Sequence, residues 1–115
     1  MEKKLEAGLQ GRQQKIVTTS DTAVAYGSGL VEVFATPAMI ALMENTAHQS
    51  VQPYLPEGAL TVGFEVNIRH LKATGIGDTV WAESILEAAE GKKLQFSVRA
   101  FDSSGEIGNG THVRY

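Results

Sequence analysis

Residues 33–44 read VFATPAMIALME, an apolar run that contains a Thr-Pro pair and ends at a carboxylate. Thr36 is a favourable helix N-cap and Pro37 suits the first helical position, so the sequence predicts a helix that begins here. Because no side chain between Thr36 and Glu44 is charged or polar, we expect the first two turns to be enclosed by the rest of the protein. The prolines that follow predict an end between Val51 and Tyr54.

Glu44 is therefore a carboxylate on a mostly buried helix, which is costly unless the group is paired or used. The segment Leu60–His70 alternates as a strand does, and it contains a candidate partner for Glu44, namely His70. One predicted face, which we expect to pack against the helix, carries Val62, Phe64, Val66, Ile68 and His70. The other predicted face carries Thr61, Gly63, Glu65, Asn67 and Arg69.

The other segments also have strand character. A strand rich in β-branched residues is predicted over Gln14–Thr19, and a second β-like piece over Thr22–Tyr26. After Leu60–His70, strands separated by glycine turns are predicted over Thr79–Ala89, Lys92–Asp102 and Glu106–Tyr115. One or two short strands, one buried helix and then four strands in a meander predict an α+β fold, in which a curved antiparallel sheet wraps a single helix.

Composition excludes several classes of protein. The 115 residues, 43% hydrophobic, predict a single domain over residues 1–115. The net charge of −3, with scattered Lys and Arg, offers no basic patch for nucleic acid or a membrane surface. There is no cysteine, no run as long as a membrane span, and no apolar segment after the charged start Met1–Glu6. We therefore expect a soluble, cytoplasmic protein without a signal peptide.

A single helix covers only one face of such a sheet, so the other face or the edge strand needs a partner. This predicts a homodimer, with a tetramer as the alternative. The three histidines are scattered and do not have metal-ligand spacing. We therefore expect neither a metal nor another cofactor.

Thr36 and His70 are candidate functional residues for different reasons. Thr36 places a hydroxyl at a helix N-terminus, where developing negative charge is favoured. A histidine on an apolar face is usually a core residue, but a nearby carboxylate such as Glu44 makes it a candidate base. Thr36 and Glu44 are about 12 Å apart along a straight helix. Either the chain bends near Thr36, or the site joins two subunits, or the substrate spans the gap.

Other candidates have competing structural interpretations. Gly63, in a strand interior, indicates a bulge or a close helix crossing, or else a bare N–H donor for an oxyanion. His112 and Arg114 share one face of the last strand and are predicted to be solvated, unless Arg114 faces a cleft and binds an anion. His48 lies four residues after Glu44 and predicts a contact along the helix.

Several stretches together resemble the fluoroacetyl-CoA thioesterase family of hotdog-fold thioesterases. They are residues 33–44, the tripeptide TVG at residues 61–63, His70, and the run EIGNGTHVR at residues 106–114. The likeness extends from about Gly27 to the C-terminus with the separations preserved. It implies a hotdog fold, a homodimer with sites at the interface, and hydrolysis of an acyl-CoA thioester without a metal.

The resemblance also assigns residues. The family's catalytic residues would correspond to Thr36, Glu44 and His70, and its substrate-binding residues to Gly63, Phe34 and Arg114. Whether Glu44 is a base or a nucleophile stays open. The stretch Ala25–Leu30 is short where the family's namesake has a long apolar lid, so we do not assign fluoroacetyl. The resemblance to relatives of this kind implies another small acyl group. The alternatives are an enoyl-CoA hydratase, whose Asp-x-Asn-Pro-x-His motif is absent, and a non-catalytic acyl-CoA or apolar ligand-binding protein.

Overall fold

A five-stranded antiparallel sheet and one long helix form the core of the chain. The computed structural model describes residues 4–115, so the polar stretch Met1–Gly11 is described only from Lys4 onward. The strands are β1 (Gln10–Ile16), β2 (Gly63–His70), β3 (Thr79–Glu90), β4 (Lys93–Asp102) and β5 (Gly105–Arg114). The helices are α1 (Ala23–Tyr26) and α2 (Thr36–Val51), with single 3-10 turns at Thr19–Asp21 and Gln52–Tyr54. The predicted α+β architecture is confirmed.

The strand order in the sheet is β1-β3-β4-β5-β2, and every neighbouring pair is antiparallel. Strands β3, β4 and β5 form the predicted meander, each within one residue of its predicted start and end. The prediction that β2 belongs to the same meander is wrong. Strand β2 lies at the edge of the sheet and pairs with β5, not with β3, which follows it in the sequence. Alternation identifies the face that a residue occupies but not the neighbour of its strand, so the sequence pattern did not contain this information.

Helix α2 packs across the inner faces of the central strands. Its buried residues include Met39, Met43 and Val51, and they meet the predicted inner face of β4. That inner face consists of Leu94, Phe96, Val98 and Ala100, all buried. The predicted end of the helix is confirmed, since α2 stops at Val51 and a 3-10 turn continues to Tyr54.

The start of α2 differs from the prediction in one position. Ala35 is the N-cap, Thr36 is the first helical residue, and Pro37 is the second. The Thr36 hydroxyl does not cap the helix because it bonds to a histidine instead. The expected enclosure of the first two turns is also wrong within this chain, since Thr36, Pro37 and Ala41 are exposed.

Strand β2 contains a bulge that changes which side chains face the helix. Gly63 pairs with Arg114 and Glu65 with Val113, so Phe64 is an extra residue between two paired positions. Gly63 therefore shares the inner face with Val66, Ile68 and His70, contrary to the strict alternation predicted. Val62 and Phe64, expected on that inner face, are 66% and 70% exposed in the chain.

The segment before α2 is less regular than predicted. The first strand runs over Gln10–Ile16, four residues before its predicted start, and it forms the edge of the sheet opposite β2. The predicted β-like piece Thr22–Tyr26 is wrong, because Ala23–Tyr26 is a single helical turn. The Thr22 hydroxyl accepts a hydrogen bond from the N–H of Ala25, and such a cap favours the turn over a strand. Among the described helices, none has the length and apolar character needed to cross a membrane.

Candidate active site

The first cluster of candidate residues joins the start of α2 to the end of β2. The Thr36 hydroxyl lies 2.8 Å from Nδ1 of His70. His70 is on the inner face of β2, as predicted, and its position at the last residue of the strand brings it to the N-terminus of the helix. The hydroxyl can donate to an unprotonated Nδ1 or accept from a protonated one, so the pair can pass a proton in either direction.

The surroundings of His70 keep its ring neutral near pH 7. Burial lowers the pKa of His70 below its ordinary 6.5, and the backbone of Lys72 opposes this only in part. The Nε2 atom is buried and makes no hydrogen bond of standard geometry within residues 4–115. A neutral imidazole whose Nδ1 faces the Thr36 hydroxyl is the form that accepts a proton in general base catalysis.

An open cleft of about 470 Å³ contains this pair. Its lining includes Phe34, Ser28 and Lys72 besides Thr36 and His70. The Phe34 side chain is only 1% exposed, and its N–H bonds to the carbonyl of Thr74 at 2.8 Å. Phe34 is therefore a rigid apolar part of the cleft next to a polar pair.

The second cluster surrounds Glu44, two turns further along α2. A Cβ added to Gly63 would lie 2.6 Å from Oε2 of Glu44, so only glycine leaves room for this carboxylate. The predicted bulge is confirmed at the neighbouring Phe64, and the helix approaches Gly63 through the Glu44 side chain. The Glu44 side chain is 39% exposed, so it is half-buried within this chain.

Arg114 lies beside Glu44 and is held by three hydrogen bonds. Its Nε donates to the hydroxyl of Thr61 at 2.8 Å, and its Nη2 donates to the Thr61 carbonyl at 3.1 Å. Its Nη1 lies 3.1 Å from Nε2 of His112 and 3.9 Å from Oε2 of Glu44. Burial lowers the pKa of Arg114, but a guanidinium remains a cation in proteins.

His112 completes the second cluster. It is 1% exposed and Arg114 is 7% exposed, so the expectation that these residues are solvated is wrong. The reason is that the inner face of β5, which lies between β4 and β2 in the sheet, packs against α2 and the segment before β2, where Arg114 meets Glu44 and Thr61. Burial lowers the pKa of His112, and the charge of Arg114 adds to this effect.

The two clusters are separate within the chain. A small pocket of about 170 Å³ borders Glu44, Gly63 and His112, and it shares no lining residue with the Thr36–His70 cleft. This separation agrees with the spacing of about 12 Å expected along the helix. His48, expected to contact Glu44, has a buried Nδ1 without a hydrogen bond among the described residues.

Sequence reasoning missed Thr61 and gave His112 no role. The register that places Arg114 opposite Gly63 brings both residues to the site. This register depends on the bulge at Phe64, which the sequence pattern does not show. Within residues 4–115, no group of three or more His, Asp or Glu side chains is placed to hold a metal ion.

Comparison with known proteins identifies the family. Residues 17–115 match the family described as FlK, fluoroacetyl-CoA-specific thioesterase. The fluoroacetyl-CoA thioesterase of Streptantibioticus cattleyicolor is 41% identical over 83 residues, a match that spans 72% of this chain and 60% of the relative's length. This chain thus matches less than two thirds of that enzyme.

Solved structures agree in fold. A mutant of the fluoroacetyl-CoA-specific thioesterase FlK in complex with fluoroacetate and CoA has a TM-score of 0.88 and 33% identity, over 96% of this chain and 93% of that chain. A Thermus thermophilus protein of the thioesterase superfamily has a TM-score of 0.88 and 28% identity, over 99% and 84% of the two chains. The resemblance seen in the sequence is thereby confirmed: this chain belongs to the fluoroacetyl-CoA thioesterase (FlK) family of the hotdog-fold thioesterase superfamily.

Proposed function

We propose that this protein hydrolyses a small acyl-CoA thioester at an active site shared between two identical subunits. The observation that carries the proposal is the division of the candidate residues into two clusters at opposite ends of β2. One cluster offers the Thr36–His70 pair, and the other offers the carboxylate of Glu44 with Gly63 and Arg114. Neither cluster alone combines a carboxylate with an imidazole that can exchange protons with the substrate.

Strand β2 supplies the geometry for joining the clusters. It is an edge strand whose outer hydrogen-bonding groups face away from β5, and its exposed side chains include Val62, Phe64 and Val66. An unpaired apolar edge favours pairing with another chain. If two copies of β2 pair antiparallel over Glu65–Arg69 about a two-fold axis at Asn67, the extra residue Phe64 brings Gly63 of one copy opposite His70 of the other, just beyond the paired segment. Adjacent strands lie about 4.8 Å apart, so the two clusters would then adjoin one thioester.

The N–H of Gly63 suits the thioester carbonyl in this arrangement. Val62 exchanges two backbone hydrogen bonds with Tyr115, at 2.8 and 3.0 Å. The alternation of an antiparallel pair then directs the N–H of Gly63 away from β5 and toward the open edge. A donor at that position stabilises the negative charge that develops on the carbonyl oxygen during attack.

The chemistry is acyl transfer to water. Glu44 acts as the base that activates water or as the nucleophile that attacks the acyl carbon. Neutral His70 accepts a proton from water or from the hydroxyl of Thr36 and returns it to the sulfur. The carbon–sulfur bond breaks as a carbon–oxygen bond forms, and the products are a carboxylic acid and free CoA. By the family resemblance, Phe34 would lie near the acyl group, and its side chain is buried beside the cleft.

Release of free thiol from a panel of short acyl-CoAs tests the activity directly. We expect hydrolysis of at least one two- to four-carbon acyl-CoA. Glu44→Gln should lower kcat by roughly 100-fold or more while leaving the fold intact, because the amide is neither a base nor a nucleophile. Binding of an acyl-CoA without thiol release would instead favour the non-catalytic ligand-binding alternative.

Mixed dimers test whether the site is shared. Glu44→Gln and His70→Ala subunits are each expected to be inactive alone. In a heterodimer of the two, a shared site leaves one position with both native residues and one with neither, so about half of the wild-type activity per dimer returns. If each site belongs to one chain, every site keeps one defect and no activity returns. This second result would overturn the shared site while leaving the thioesterase activity itself to the panel.

A further inference from the structure

The arginine beside Glu44 forms only a long ion pair with it and no direct hydrogen bond. Nη1 of Arg114 is 3.9 Å from Oε2 of Glu44, whereas a charge-assisted hydrogen bond measures about 2.7–2.9 Å. The hydrogen bonds of this guanidinium go to Thr61 and His112 instead. The carboxylate thus has a cation nearby that compensates its charge but does not occupy its lone pairs.

We propose that His112 is a positioning residue that holds Arg114 back from Glu44 and so keeps the Glu44 carboxylate available for reaction. The inference rests on the proposed function, since it assigns Glu44 a reacting role. His112 itself acts through Arg114.

The hydrogen bonds of His112 determine its tautomer. Its Nδ1 lies 2.8 Å from the backbone carbonyl of Glu65, which can only accept, so Nδ1 carries the proton. In a neutral ring, Nε2 is then an acceptor, and it faces Nη1 of Arg114 at 3.1 Å. A guanidinium only donates. Among the neutral forms of His112, only the Nδ1–H tautomer therefore satisfies both hydrogen bonds.

The surroundings of His112 favour this neutral form. The ring is enclosed by β2, β4 and α2, with the Phe96 ring centroid 6.1 Å away. Arg114 on its own strand opposes protonation, whereas the Glu65 carbonyl and the Glu44 carboxylate favour it. Burial has the largest effect, so the pKa of His112 lies below its ordinary value. A protonated ring would direct an N–H at Arg114 and break the bond that holds it.

Removal of the Nε2 acceptor has a specific consequence. Nη1 of Arg114 would lose a hydrogen-bond partner in a buried site, and Oε2 of Glu44 is an alternative acceptor 3.9 Å away. Glu44 is partly exposed and can move about 1 Å at low cost, so the ion pair closes. The carboxylate is then tied to Arg114 and is a poorer base or nucleophile.

Two amide substitutions separate this role from a packing role. In His112→Asn, the amide nitrogen replaces Nδ1 and the bond to Glu65 is kept, but the acceptor for Arg114 is lost. In His112→Gln, the amide oxygen reaches the position of Nε2, so the acceptor is kept. We expect His112→Asn to lower kcat by roughly 10- to 100-fold with little change in KM, and His112→Gln to retain most of the activity. If both variants lose activity equally, with equal losses of thermal stability, the role is packing and the proposal is wrong.

Two measurements on the resting protein decide the inference without catalysis. Nitrogen-15 NMR of the wild type near pH 7 should show a protonated Nδ1 and an unprotonated Nε2 at His112. The crystal structure of the His112→Asn variant should show Arg114 and Glu44 in direct contact. An Nε2–H tautomer, or an unchanged separation in the variant, overturns the role of His112 even in an active thioesterase. If no acyl-CoA is hydrolysed, the proposed function fails while these two results still stand.

Discussion

At the scale of single residues, Gly63 shows how a local irregularity determines the composition of a site. Strict alternation places it on the face opposite His70, and the bulge at Phe64 brings both onto the inner face. Its missing side chain then leaves space for Oε2 of Glu44. The sequence identified the right residue because glycine is unusual in a strand interior, but a bulge depends on contacts that a strand pattern does not contain.

Gly63→Ala should therefore damage activity more than stability. The new methyl group would lie 2.6 Å from Oε2 of Glu44, and the carboxylate has to move. We expect kcat/KM for acyl-CoA hydrolysis to fall roughly 100-fold, since a displacement of about 1 Å at a reacting group has this effect. Gly75→Ala is the matched control, because nothing lies within 4 Å of its added Cβ. Full activity of Gly63→Ala would exclude the placement of Glu44 in the site.

Thr36 offers a second test at this scale. Thr36→Val keeps the shape of the side chain and removes the hydroxyl that lies 2.8 Å from His70. Loss of this partner should lower kcat about tenfold or more, the effect of about 1.4 kcal/mol. Thr36→Ser keeps the hydroxyl and should retain most of the activity. Equal thiol release by the valine and wild-type proteins would remove Thr36 from the proton path.

At the scale of elements, the prediction succeeded where turns and alternation agree. Strands β3 to β5 are connected by glycine turns, β3 and β4 present a regular apolar face, and the bounds of all three were predicted within one residue. Thr22–Tyr26 has a comparable composition, yet it forms a helical turn because Thr22 caps it. A few residues with high β-propensity do not outweigh a local cap when no neighbouring strand covers them.

Strand β2 allows the dimer to be tested apart from the chemistry. Phe64 is 70% exposed on this edge, so Phe64→Lys should leave the chain folded and prevent edge pairing. We expect the mass in solution, measured by light scattering, to fall to that of a monomer, with loss of thioesterase activity. Ile16→Lys, at an exposed position on the opposite edge strand, should keep the wild-type mass. An active monomer of Phe64→Lys would contradict a site shared between subunits.

At the scale of the whole molecule, the arrangement of the clusters follows from the length of α2. Thr36 and Glu44 lie on one helix, so their backbones are about 12 Å apart along its axis for any conformation of the side chains. The sequence was sufficient to predict this gap and to predict that a partner subunit is one way to close it. It was not sufficient to predict that His112 and Arg114 are buried, because alternation does not show that their face of β5 lies against α2.

Two histidines, half-buried His70 and buried His112, give the stability of the whole chain a defined dependence on pH. The pKa values of His70 and His112 are both lowered from 6.5, mainly by burial. Below pH 6.5 the unfolded chain therefore binds protons that the folded chain does not, and the free energy of unfolding falls as the pH falls. Above pH 6.5 this contribution is constant.

The carboxylates affect a different range of pH. Burial raises the pKa values of Asp21 and Asp102, but hydrogen bonds outweigh it, from Lys15 and Thr18 to Asp21 and from Thr74 and Ser104 to Asp102, so both are lowered from 3.8. Their stabilisation is fully present above pH 3.8 and is lost only as the pH falls through their folded pKa values. Between about pH 7.5 and about pH 5.5, these aspartates contribute no change in stability, so the histidines determine the slope.

Urea unfolding at fixed protein concentration measures this dependence. We expect a lower free energy of unfolding at about pH 5.5 than at about pH 7.5 for the wild type. His112→Gln should reduce the difference, and a double variant with His70→Gln should reduce it further, because an amide does not titrate. A wild-type free energy that does not change over this range would show that the two imidazoles are not kept neutral by burial. That result would also remove the physical reason for neutral His70 as a base and for neutral His112 as the acceptor of Arg114.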